Sequence, residues 1–193
     1  MSVNLVKGQK IDLTKGNPGL QKVKIGCGWD INKYDKNETF DIDASAFLLA
    51  ENDKVLNDQG FVFYHNSSDP SNSVVYSGDN RTGEGEGDDE TIIVDLSKVP
   101  NEVKKIVFVV SIYDANNKAQ NFGLISNSYI RAIDEDTNAE LFKYELDEDF
   151  STETGLIAGE LYRRNNDWKF SAVGKAMSGG LSTIAKMYGV DIQ

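Results

Sequence analysis

At 193 residues, 39% hydrophobic and 26% charged, the chain has the length and composition of one globular domain, spanning 1–193, that can bury a core without disulfides or metals. A net charge of −11 with no basic face excludes general binding to phosphate backbones; one cysteine, Cys27, and one histidine, His65, exclude an internal disulfide and metal centres rich in either residue. The N-terminal residues hold no apolar signal core, and no window reaches the ~18 apolar residues of a membrane span, so a cytoplasmic protein without a transmembrane segment is expected.

Val3, Leu5, Ile11 and Leu13 alternate around Lys7-Gly8-Gln9-Lys10, which predicts a hairpin-like opening pair of strands before a loop at Lys15 to Gly19. Between Lys22 and Trp29, Val23, Ile25 and Cys27 share one side of a half-buried strand that ends at Trp29-Asp30. Thr39 to Ala50 alternates again, with Asp41 and Asp43 on one face about 7 Å apart. Those two acids can jointly face a cation or stand solvated at a strand mouth. Gly60 to Tyr64 is an apolar strand followed by a turn-rich run through Asn72, and Val74 to Tyr76 and Thr91 to Leu96 flank an acidic stretch as a hairpin. Ser97 to Val103 has room for one helical turn before Lys105 to Tyr113, a buried central strand. Tyr129 to Ile133 pairs with Glu140 to Leu146, and Gly155 to Arg163 pairs with Asp167 to Val173 across Arg164-Asn165-Asn166. Leu181, Ile184, Ala185 and Tyr188 then fall at helical spacing. The expected fold is an all-β sandwich of antiparallel strands with short helical turns and a C-terminal amphipathic helix.

The acidic stretch, Gly78 to Glu90, places six carboxylates and four glycines in thirteen residues. Each pair of carboxylates about 5 Å apart costs roughly 0.8 kcal/mol even in water, so a cation is wanted, and Arg81 is the only one in the stretch. A hard divalent ion taking oxygens from Asp, Glu, Asn and backbone carbonyls suits the other residues, and the glycines let a short backbone curl around it. A solvated acidic turn is the competing reading. The spacing is not that of an EF-hand, because Arg81 and Glu84 stand where an oxygen ligand and a glycine are required. Gly83-Glu84-Gly85-Glu86-Gly87 is no phosphate cradle, since its charge repels phosphate and Asp88 replaces the last glycine of the fingerprint. Catalysis finds little to work with: there is no Gly-x-Ser-x-Gly elbow, His65 sits in an Asn/Ser-rich turn, and Cys27, Trp29 and Trp168 read as core.

Six ordered segments, taken together, resemble the tellurite-resistance TerD family of bacterial stress proteins over nearly the whole chain. They are Gly26-Cys27-Gly28-Trp29-Asp30, Asp41 to Leu49, Phe61-Val62-Phe63-Tyr64, Gly78 to Glu90, Gln120-Asn121-Phe122-Gly123 and Gly159-Glu160-Leu161-Tyr162-Arg163. The resemblance implies a calcium-binding β-sandwich in which Asp30, Asp41, Asp43, Asp79, Asn80, Asp88, Asp89 and Glu90 surround paired Ca2+ ions, with Thr82 and Gly83 contributing carbonyls. Glu84 and Glu86 are left between ligand and solvent-facing roles. A non-enzymatic protein is expected, acting by calcium-dependent association with other stress and tellurite-resistance proteins, with the inner membrane surface as one place of action. The alternative is a calcium-dependent membrane- or glycan-binding module.

Overall fold

The structure is a computed structural model and describes residues 2–31, 40–78, 87–146 and 152–192. Two six-stranded sheets face each other. In the first, β1 (Val3–Leu5), β10 (Ala139–Glu145), β9 (Ile125–Asp134), β3 (Lys22–Ile31), β7 (Glu90–Asp95) and β6 (Val74–Gly78) lie in that order. In the second the order is β2 (Lys10–Asp12), β12 (Asp167–Met177), β11 (Gly155–Arg164), β8 (Lys105–Ile112), β4 (Ile42–Leu49) and β5 (Phe61–Val62). Neighbours are antiparallel except β1 beside β10. This is the sandwich that the period-two patterns predict.

Between the sheets, Val23, Ile25 and Cys27 of β3 and Ile92 and Val94 of β7 meet Ile42, Ala44, Ala46 and Leu48 of β4. Phe142 and Phe170 pack with ring centroids 4.1 Å apart. A second apolar layer lies behind the second sheet. There Phe47, Leu49, Val107, Val109 and Ile157 are covered by Ile184 and Ala185 of the closing helix α2 (Gly180–Met187) and by Tyr188 at its C-terminal cap, at the spacing the sequence predicts. Because α2 covers their outer side, β4 and β8 are buried on both faces. A single helical turn, α1 (Ala115–Lys118), follows β8. Among the described residues no helix is long and apolar enough to cross a membrane.

Two local expectations are revised. β1 and β2 do not pair with one another: Val3 to Leu5 run beside Phe142 to Tyr144 in one sheet, and Lys10 to Asp12 beside Lys169 to Ser171 in the other. Gly8, at φ 80°, crosses between them and donates its N–H to the Ala172 carbonyl at 2.8 Å. Alternation requires a partner strand but does not say how far along the chain that partner lies. Ser97 to Val103 closes through i→i+3 turns at Asp95–Lys98 and Pro100–Val103 in place of a helical turn. The Gly159 position is a packing requirement, since a Cβ there would lie 2.2 Å from Cζ of the buried Phe170.

Two aspartates give the fold an acid limb. Asp12 takes a hydrogen bond from Lys169 Nζ at 2.5 Å, which holds its carboxyl below the usual range. Burial alone would raise Asp95, but the Ser97 hydroxyl at 2.6 Å and Lys98 at 3.1 Å outweigh it, and its pKa is also lowered. Both folded values lie below the unfolded one. Their contribution is therefore fully present above the unfolded value of about 3.9 and is lost as pH falls through the folded values. Urea midpoints are expected to drop between about pH 5 and about pH 2.5, with a shallower drop in Asp95→Asn. An unchanged slope in that variant would remove Asp95 from the account.

Candidate functional site

Three strands bring Asp30, Asp41, Asp43, Asp88, Asp89 and Glu90 to one end of the sandwich, where β3 finishes and β4 and β7 begin. Cys27 is paired with Glu90, and the Asp89 N–H donates to the Cys27 carbonyl at 2.8 Å. The Asp89 carboxylate accepts the Trp29 N–H at 3.0 Å, beyond the last β3–β7 pair at Cys27–Glu90, and is only 8% exposed. Glu90 alternates with Ile92 and Val94 and so points between the sheets. It is 1% exposed, and its Oε2 accepts the Ala44 N–H at 3.5 Å, one residue beyond Asp43. A carboxylate from the first sheet thus reaches the edge of the Asp-x-Asp strand in the second.

Asp43 lies opposite Ser111 and is 8% exposed. By alternation it stands on the same side as Phe47 and Leu49, behind the second sheet. It lines a cavity of about 420 Å³ with Tyr64, Ser111, Tyr113, Asp114 and the start of α2 at Gly180. The Tyr64 hydroxyl is pushed up by burial first, then by Asp43, Tyr113 and Asp41, which places both acids of the Asp-x-Asp pair in its field. The Asp41 carbonyl accepts the Tyr113 N–H at 2.7 Å.

Asp30 and Asp88 lie on the outer face of the first sheet. Asp30 is exposed and accepts Asn127 Nδ2 at 2.6 Å. Asp88 lies flat over Gly26, where a Cβ would come within 2.2 Å of its Cγ. It is held by Arg131 Nε at 2.6 Å and by the Tyr129 hydroxyl at 3.1 Å, and its side chain is 6% exposed. Tyr129 also donates to the Gly87 carbonyl at 2.8 Å and fills the space over Gly28. Burial and then Asp88 raise the Tyr129 phenol, while the hydrogen bond to Asp88 raises the Arg131 guanidinium against the cost of its burial. Arg131 continues to Glu140 at 3.2 Å.

Consecutive acids therefore leave β7 in different directions: Asp88 outward, Glu90 inward, and Asp89 along the strand edge. Asp79, Asn80, Thr82 and Gly83, together with Glu84 and Glu86, lie outside the described residues. Among the described residues no three of His, Cys, Asp or Glu converge closely enough to hold an ion by themselves. Tyr129, Arg131, Tyr64 and Asn127 are members of this end of the molecule that the sequence reading missed. The legible signal was Gly26-x-Gly28 on the solvent side of a strand, a pattern that marks close approach by another group. Cys27 is 3% exposed, and burial, then Glu90, Asp88 and Asp89, hold its thiol protonated. His65 is exposed in its turn.

The fold and this end of it define a two-sheet β-sandwich whose strand mouths are lined with carboxylates. Residues 1–188 match the TerD domain model, and the chain belongs to that family. It is 54% identical over 192 residues to general stress protein 16U of Bacillus subtilis (strain 168), covering 100% of both chains. It is 49% identical over 191 residues to tellurium resistance protein TerD of Serratia marcescens, covering 99% of both. A crystal structure of a telluride resistance protein (TerD) homologue from Streptomyces coelicolor A3(2) shares the fold, with a TM-score of 0.69 at 20% identity over 89% of this chain and 99% of that one.

Proposed function

We propose that the protein is a non-enzymatic, calcium-binding stress-response protein of the cytoplasm that serves tellurite resistance through calcium-dependent association with other stress and resistance proteins, with the inner membrane surface as one place of action. The stress and tellurium-resistance names of its relatives support the biological setting. One observation carries the calcium reading. Asp43, Asp89 and Glu90, none more than 8% exposed, lie at the end of the sandwich where the acidic stretch joins β7. Carboxylates withdrawn from water repel one another strongly, and a hard divalent cation offsets that repulsion through oxygen ligation.

The donor types suit such ions, which Asp89 and Glu90 beside the first sheet and Asp41 and Asp43 at the second would hold together with oxygens of Asp79, Asn80, Thr82 and Gly83. Asp30 and Asp88 already have protein partners in Asn127 and Arg131 and would exchange them to join. Bound calcium would supply positive charge shared between the two sheets. The chain's own residues already provide the frame: Asp89 holds the Trp29 N–H of β3, and Glu90 spans to β4. Calorimetric titration of chelator-treated protein with calcium chloride is the test, and saturable heat with a stoichiometry near two is expected. No heat, together with no metal in the protein as purified, overturns the reading.

A further inference from the structure

The opposite end of the sandwich holds a cavity of about 640 Å³ between the 96–104 loop and the β11–β12 turn. The two ends are well separated: β11 runs from Gly155, beside Ser111, to Arg163, beside Trp168, a path of about 26 Å. Two cations line the cavity. Arg163 lies over the Trp168 ring at 4.8 Å, and its terminal nitrogens donate to Asn101 Oδ1 at 3.0 Å and to the Val99 carbonyl at 2.5 Å. Its Nε is buried and donates to nothing among the described residues. Lys104 Nζ donates to the Asn101 carbonyl at 2.7 Å. Every one of these partners is a neutral oxygen.

Neither cation makes an ion pair among the described residues, although the chain carries 31 acids against 20 lysines and arginines. Lys98 in the same loop, and Lys105, Arg131, Lys143 and Lys169 elsewhere, each have a carboxylate. Burial draws the Arg163 guanidinium down despite the field of Glu102, so the group is partly desolvated without a counter-charge in contact. Among the described residues Glu51 is the one acid lining the cavity, and it is exposed at the rim. Ser97, Asn165 and Asn166 add neutral hydrogen-bonding groups to the wall. A planar guanidinium beside an ammonium, rimmed by amides and a hydroxyl, suits a phosphate-type oxyanion carrying a polar body.

We propose that this cavity binds a phosphate group, held by Arg163 and Lys104 between the 96–104 loop and the β11–β12 turn. The site is independent of the acidic end and needs no calcium.

The test is a titration of ¹⁵N-labelled full-length protein with inorganic phosphate, in the presence of chelator and at ionic strength held constant with chloride. Saturable shifts confined to residues 96–104 and 163–168 are expected. Lys104 is exposed, so Lys104→Gln should melt with the parent while binding phosphate about tenfold more weakly. Arg163→Lys keeps the charge but loses the fork and should also weaken binding, which separates charge from geometry. Ribose 5-phosphate in a parallel arm distinguishes the source. Tighter binding than phosphate assigns a phosphorylated sugar, and equal binding assigns free phosphate. No saturable shift at millimolar phosphate, shifts scattered over the surface, or a Lys104→Gln affinity equal to the parent's overturns the proposal.

Discussion

Calcium at about a hundredfold excess over its dissociation constant is expected to raise the stability of the chelator-treated protein by roughly 2.7 kcal/mol. For a chain of this length that is a rise in Tm of about 5 to 11 °C. Glu90→Gln is the sharper form of this experiment. Glu90 is 1% exposed and reaches from β7 to the Ala44 N–H of β4, and glutamine keeps its shape and its ability to accept that hydrogen bond. The charge is lost, and one acceptor oxygen becomes an amide donor. Measured against its own apo form, the variant should therefore lose most of the calcium-induced rise. Asp43→Asn should reduce the rise from the other sheet. Scanning calorimetry with and without calcium reads both variants, and a full calcium shift in the two together would remove these residues from the proposed site.

Removal of Arg131 should be the costliest single change on the outer face of the first sheet. Breaking a buried ion pair typically costs about 3–5 kcal/mol because the remaining charge is stranded. Asp88 is 6% exposed at its side chain, but Arg131 is 26% exposed, so solvent softens the loss to about 2 kcal/mol in Arg131→Ala. Asp88→Asn should cost less, since Arg131 keeps Glu140 at 3.2 Å. Gly26→Ala attacks the same contact from beneath, because its Cβ would stand 2.2 Å from the Asp88 carboxyl carbon. The Gly26→Ala and Arg131→Ala losses should accordingly be less than additive in a double-mutant cycle. Urea unfolding provides the numbers. An Arg131→Ala midpoint matching the parent's, or strict additivity in the cycle, would show that the ion pair does not anchor Asp88.

These expectations rest on residues of unequal legibility. Val23, Ile25 and Cys27 announced the inner face of β3 by alternation alone, because a strand with one face on the core must repeat every second residue. Leu181, Ile184, Ala185 and Tyr188 announced α2 by their helical spacing. β5, reduced to Phe61–Val62 after a 3₁₀ turn, and the separation of β1 from β2 were not legible, since both depend on which distant strand offers a free edge.

At the acidic end, oxygen-ligand chemistry followed from residue types: many carboxylates and glycines, one histidine and one cysteine. Asp41 and Asp43 could be placed on a shared face because strand geometry is local. Their environment could not, because Asp43 shares its cavity with Tyr64 and the start of α2, which come from elsewhere in the chain. The same holds along Asp88-Asp89-Glu90. As sequence it is a uniform run of charge, and the register of β7 against β3 sends Asp88 to Arg131, Asp89 to the Trp29 N–H and Glu90 into the space between the sheets. Patterning by itself determined a β-sandwich with a carboxylate-rich mouth. Which carboxylates are buried, and which already hold a protein partner, was decided by pairing between strands distant in sequence.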